Sequence, residues 1–158
     1  MLATRGNWLK VSLPIRPNRS SAWIQRSLVD LVSTDYRVAV RLRAHRLLLW
    51  RGRRRVLDTA IAVGKALTPT PNGTYFIAYA LRTTDPSSFF GPYAFGLSAY
   101  SNVLTSFAGG DGEVGIHGTN EPWLLGQSVS HGCIRIRNSV ITRLAHLLPL
   151  GTPVQIQR

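Results

Sequence analysis

Val129-Ser130-His131-Gly132-Cys133-Ile134-Arg135-Ile136-Arg137-Asn138 holds the single cysteine of the chain, and Gly115-Ile116-His117-Gly118-Thr119-Asn120 lies a short span upstream. A thiolate, not a thiol, is the attacking species, and an ordinary cysteine with a pKa of about 8.5 is little ionised at neutral pH. A neighbouring imidazole that takes the proton changes this, and the resulting ion pair is expected to hold the thiolate ready. Glycine directly before the nucleophile permits a tight turn and lets a substrate carbonyl approach the main chain. The amides of Gly132 and Cys133 are then candidate donors to a developing oxyanion, each worth about 3 kcal/mol in acyl-transfer enzymes. The chemistry this pattern points to is acyl transfer through a thioester.

Other readings of the same residues stay open at this level. Free cysteine is among the most buried residue types, so Cys133 alone also reads as an inert core thiol. His117, His131 and Cys133 are all zinc-binding residue types. A structural zinc site takes four ligands, however, and His45 and His146 stand in no recognisable ligand spacing.

Together the two stretches resemble the active-site signature of the L,D-transpeptidases with a YkuD-type catalytic domain: a histidine, a spacer, then Ser/Thr-His-Gly-Cys, an Arg and an Asn. Val63-Gly64-Lys65 and Thr68-Pro69-Thr70-Pro71-Asn72-Gly73-Thr74-Tyr75 are similar to that family's strand entry, and residues 148–154 fit its end. The resemblance covers about residues 34–158. It implies Cys133 as nucleophile and His117 as general base, its ring held by a backbone carbonyl near Gly118. It also implies that His131 lines the site and helps position the thiol, with Ser130, Gly118 and Gly132 as oxyanion or supporting groups. Arg135 is expected to support the loop or meet a substrate carboxylate, a task that suits a bidentate guanidinium; a surface salt bridge is the competing reading. Asn138 is a substrate-binding candidate and equally an N-cap for the helix that follows.

The implied reaction is peptidoglycan cross-linking without metal or cofactor: a tetrapeptide stem acylates Cys133, its terminal D-alanine leaves, and an amine resolves the thioester. Acylation by carbapenems is a further implication. Two alternatives stand beside it. With water as acceptor the same site is an L,D-carboxypeptidase, and a basic wall-binding module without catalysis is the reading from another class.

At 158 residues the chain is long enough for one domain with a real core and a small appendage. One cysteine excludes an intramolecular disulfide. The net charge of +12 comes from 19 basic residues, all arginine except Lys10 and Lys65, against 7 acids. Such a balance favours anionic partners. Nucleic acid is disfavoured, since no helix-turn-helix, zinc-finger or aromatic RNA-binding signature is present, and the resemblance favours an anionic cell-wall polymer. Arg37, Arg41, Arg43, Arg46, Arg51, Arg53, Arg54 and Arg55 crowd into one hairpin region. They read as a solvated sheet face, since long arginines keep their heads in water, or as a wall-docking patch.

Periodicity places strands at 36–42, 47–50 and 56–63, with a turn at 51–54, then strands at 73–81 and 154–156. Residues 84–96 read as a loop over a cleft, with Phe89, Phe90, Tyr93 and Phe95 either lining a groove or serving the core. Residues 107–112 read as a flexible approach to His117, and 121–126 as a bridging loop of the kind that forms lids. Val140, Ile141, Leu144, Leu147 and Leu148 repeat at helical spacing up to Pro149, leaving Arg143 and His146 to solvent. Residues 8–24 read as strand, turn and strand, with Trp8 and Trp23 covering the core or, if exposed, stacking on a glycan ring, and a junction at 29–33. The expected architecture is mainly β, a β-rich mixed sandwich with one clear helix, divided into an N-terminal β-segment at 1–32 and a catalytic domain at 33–158. No signal-peptide core opens the chain, and no run reaches the roughly 20 apolar residues of a membrane helix. Because the resembled family works in the cell envelope, the chain is expected to be a fragment or mis-started form of a longer exported protein.

Overall fold

The computed structural model describes residues 1–106 and 110–158. The chain opens with a three-stranded antiparallel sheet of β1 (Ala3–Arg5), β2 (Trp8–Ser12) and β3 (Ser21–Gln25). An antiparallel meander follows, β4 (Tyr36–Arg41), β5 (Arg46–Arg51) and β6 (Arg54–Ala60). Then come β7 (Val63–Gly64), β8 (Gly73–Arg82), β9 (Tyr93–Tyr100), β10 (Glu113–His117), β11 (Ser128–Ser130) and β12 (Ile134–Arg135). The helix α1 (Asn138–Leu147) and the strand β13 (Pro153–Gln157) close the chain. The main sheet has the order β12-β10-β9-β8-β13-β4-β5-β6, and β7 pairs with β11 separately. The fold is thus mostly β with one α-helix.

Strand pattern explains most of this. In β4, Val38 and Val40 face the core while Arg37 and Arg41 face water, and Leu47 and Leu49 do the same for β5. Val154 and Ile156 of β13 pair in parallel with Val38 and Val40, so the C-terminus closes the middle of the sheet. Helix α1 packs on β9 and β10 through Ile141 and Leu144 and ends before Pro149. Fully burying a side chain of this size contributes about 1.5–3 kcal/mol, which makes this one apolar stripe the helix's anchor.

Three expectations need correction. Residues 93–96 are strand rather than loop, so the connection over the cleft is only 83–92. Strand β9 lies between β8 and β10, and Phe95, Gly96, Leu97, Ser98, Ala99 and Tyr100 are all buried, so it carries no polar alternation to read. The strand expected over 56–63 breaks after Ala60, and Val63 turns away to pair with Ser128. Trp8 and Trp23 do not cover the core; both are more than two-fifths exposed, and Leu9 is buried in their place. Of the expected flexible stretch at 107–112, residues 107–109 lie outside the described residues.

The N-terminal sheet is fastened to the rest by its hairpin tip. Arg16 donates to the carbonyls of Ser101, Leu104 and Asp111 at 2.9, 2.9 and 2.7 Å, and its guanidinium lies over the Tyr100 ring. Asn18 exchanges hydrogen bonds with the Tyr100 backbone, each 2.8 Å.

Candidate active site

Two short strands bring the sequence motifs together. Strands β10 and β12 pair in parallel, setting Ile116 against Ile134 and His117 against Arg135. Ile134 and Ile136 are fully buried and bracket Arg135, so the segment just after Cys133 is pinned to the core.

The turn before β12 is wired through buried hydroxyls. Ser130 Oγ donates to the Cys133 carbonyl at 2.6 Å and accepts from the Gly132 amide at 3.1 Å. Thr68 Oγ1 donates to the Ser130 carbonyl and Thr70 Oγ1 to the Gly132 carbonyl. Gly132 sits at φ +126°, a conformation that side-chain-bearing residues rarely adopt. Its amide donates to Ser130 Oγ at 3.1 Å, whereas the Cys133 amide makes no hydrogen bond among the described residues.

Cys133 is half-buried, and its Sγ accepts from the Gly115 amide at 3.4 Å. His117 is almost wholly buried. Its Nδ1 donates to the Gly118 carbonyl at 2.7 Å, which fixes the neutral tautomer with the lone pair on Nε2. That Nε2 is buried and has no hydrogen-bond partner among the described residues. Phe89 and Phe90 close over the ring, with centroids 5.6 and 4.9 Å away. Burial holds the His117 pKa down at about 4; the Gly118 hydrogen bond opposes this and the Arg135 charge adds to it. Burial likewise pushes the Cys133 thiol up, against the pull of the Gly115 amide and of Arg135. Burial thus favours the neutral forms of thiol and imidazole over the thiolate–imidazolium pair expected from the sequence.

Arg135 is buried rather than at the surface. It pairs with Glu121 at 2.8 Å and stacks at 4.2 Å over Phe89, and its Nε has no hydrogen-bond partner among the described residues. Asn138 is the first residue of α1, whose N-cap is Arg137 without a side-chain cap bond, so the capping reading fails. Its Oδ1 instead accepts from the Thr119 amide at 2.7 Å. A Cβ on Gly118 would fall 2.3 Å from that oxygen, so the close passage needs glycine. His131 is exposed and lines the cavity beside Cys133. His45 and His146 stand apart, near Ser128 and against Tyr93.

Two cavities of about 210 and 250 Å³ meet at Cys133. His131 and Arg135 line the first, His117 the second, and Tyr79, Phe90, Glu113 and Val114 line both. Sequence reasoning passed over Tyr79 and Glu113, because sheet register rather than any local motif brings them beside the thiol.

A mainly β scaffold with one helix among the described residues carries a half-buried thiol and a buried histidine that line one cavity. The description that matches this chain is YkuD, L,D-transpeptidase catalytic domain, over residues 35–156, and the chain belongs to that family. It is 38% identical over 131 residues to the L,D-transpeptidase YkuD of Bacillus subtilis, covering 83% of this chain and 71% of the relative. Against the Bacillus licheniformis YkuD it is 40% identical over 121 residues, covering 77% and 65%. An L,D-transpeptidase from Mycobacterium smegmatis shares the fold, with a TM-score of 0.64 at 14% identity, over 99% of this chain and 80% of that one. L,D-transpeptidase 3 from Mycobacterium tuberculosis, solved with a faropenem-derived adduct, matches at a TM-score of 0.62 and 17% identity, over 87% and 67%.

Proposed function

We propose that this chain cross-links peptidoglycan stems through a thioester on Cys133. The observation that carries this reading is the meeting of two cavities at one thiol, the second of them lined also by His117, whose buried Nε2 has no hydrogen-bond partner among the described residues. One opening suits the acyl donor and the other the acceptor. As a tetrapeptide stem enters, His117 Nε2 takes the thiol proton and Sγ attacks the carbonyl of the stem's third residue. The oxyanion faces the Cys133 amide. His117 then protonates the leaving nitrogen, terminal D-alanine departs, and an acceptor amine attacks the thioester and returns its proton through His117. His131 lines the donor side, Arg135 and its unpaired Nε offer positive charge to a substrate carboxylate, and Asn138 secures the segment after His117. Water in the acceptor's place gives the carboxypeptidase outcome at the same site.

The family setting supports action in the cell envelope, and among the described residues no helix is long and apolar enough to cross a membrane. Exposed arginines of the β4–β6 meander suit anionic wall polymers as a docking partner.

Mass spectrometry of the protein with a disaccharide-tetrapeptide, beside Cys133→Ala, tests the reaction. A dimer lacking one D-alanine, absent with the variant, is expected. D-alanine loss without a dimer would replace transfer by hydrolysis, and no reaction in either sample would overturn both.

A further inference from the structure

In a chain with 19 basic and 7 acidic residues, two of the acids, Asp111 and Glu113, line the cavity beside the thiol, and Glu113 lines the second cavity as well. Neither takes part in the acylation steps above. The sheet builds the Glu113 position with some care. Gly96 of β9 pairs with Tyr79 on one flank and with Gly115 on the other. Both pairings carry a register shift, one between Ile77 and Tyr79 and one between Glu113 and Gly115. Such bulges re-aim side chains. A Cβ on Gly96 would fall 2.2 Å from the Tyr79 ring, so the ring crosses the sheet where the glycine leaves room. From there the Tyr79 hydroxyl donates to Glu113 Oε2.

The result is a carboxylate fixed by one oxygen, with no ion-pair partner among the described residues. It shares its cavity with Cys133 and with His117, whose buried Nε2 also lacks a partner. A carboxylate without an ion-pair partner and an imidazole nitrogen without a hydrogen-bond partner among the described residues, lining one cavity with the thiol, mark the place where a polar substrate group belongs.

The charge of that group follows from electrostatics. A primary amine, with a pKa of about 10, arrives at neutral pH as an ammonium ion. A protein of net charge +12, with Arg135 at the site, repels such a cation. Only a local counter-charge beside the thiol offsets this, and Glu113 is placed to supply it.

We propose that Glu113, held by Tyr79, is the subsite for a primary ammonium group of the substrate, carried by the acceptor stem or by the donor stem. The assignment rests on the transpeptidase reading and adds the residue that receives the amine.

The test compares wild type with Glu113→Gln, which keeps an acceptor for the Tyr79 hydroxyl and removes the charge. The donor is a tetrapeptide whose diamino-acid amine is acetylated. The acceptors are an alkylammonium amine and hydroxylamine, which is uncharged at neutral pH. Charge-assisted hydrogen bonds are about twice as strong as neutral ones, so transfer to the cationic amine should fall about tenfold more than transfer to hydroxylamine, equivalent to about 1.4 kcal/mol. A second arm measures D-alanine release from acetylated and free-amine donors. A tenfold selective loss with the free-amine donor supports the same subsite and assigns it to the donor stem. Tyr79→Phe, which keeps the carboxylate and frees it to move, should show a smaller loss with the same selectivity. Equal losses in every comparison, with wild type active, overturn the subsite alone. A wild type that releases no D-alanine from any donor overturns the transpeptidase reading and this inference together.

Discussion

The ionisation state of the resting site can be tested by alkylating Cys133, the one thiol of the chain, across pH 5–10. Holding the His117 pKa at about 4 rather than 6.5 corresponds to about 3 kcal/mol against the imidazolium. At pH 7 only about one His117 in a thousand is then protonated, so no imidazolium stands beside Sγ to draw off its proton. Burial pushes the thiol the other way, above its ordinary range. The iodoacetamide rate, followed by intact mass, should therefore climb about tenfold per pH unit through pH 7–8.5 and show no plateau below it. The same neutral His117 sets the acid limb of D-alanine release near pH 4 in kcat/KM. A plateau in alkylation already reached by pH 7 would mean a standing thiolate–imidazolium pair and refute this account of the site.

Further outcomes follow from individual contacts. Asn138→Ala removes the 2.7 Å bond to the Thr119 amide; a loss of about 1–2 kcal/mol, or about 4 °C in Tm, should accompany slower D-alanine release. Arg16→Ala frees the carbonyls of Ser101, Leu104 and Asp111, and limited proteolysis should cut within 101–106 severalfold faster; an unchanged digestion rate would show that the hairpin tip does not hold this wall of the cavity. Because folding keeps His117 neutral, its stabilisation is complete above about pH 6.5 and is lost as pH falls through about 4, so Tm should drop steeply over that interval. Retention on isolated cell walls should fall from low to high salt through the arginines of residues 37–55, and salt-independent retention would remove that docking surface.

What the sequence disclosed and what it hid divide along a physical line. Residues that act through their chain neighbours were legible: Ser130, Gly132 and Cys133 form one turn, and the apolar stripe of α1 stops at its proline. Strand β9 was not legible, because a strand buried on both faces between β8 and β10 has no alternation to report. Asn138 carries the composition of a cap, yet the close passage of Gly118 offers its side chain the Thr119 amide instead. The Ser130 hydroxyl closes on the Gly132 amide only once the turn has formed, so that contact could not be read from the residues alone. Tyr79 on β8 and Glu113 on β10 lie 34 residues apart with β9 between them, and they meet only through two bulges around Gly96. Register decides such meetings, and a one-residue difference would send either side chain to the opposite face.

The proposed reaction requires a neutral thiol to become a nucleophile. Burying a thiolate–imidazolium pair in the resting site would cost solvation of both ions, and a neutral pair avoids that cost until substrate arrives. Arg135 acts on both ends of the proton transfer. Its charge disfavours the imidazolium and favours the thiolate, so taken alone it does not promote proton transfer between them. It does favour every state in which negative charge sits near Sγ, including the oxyanion formed when the carbonyl is attacked. Glu121 holds one end of the guanidinium and Phe89 covers its face, which fixes where that positive charge points. On this reading the site is arranged for the charge that develops during the reaction rather than for a charge stored beforehand, as expected where preorganised dipoles and cations supply most of the rate.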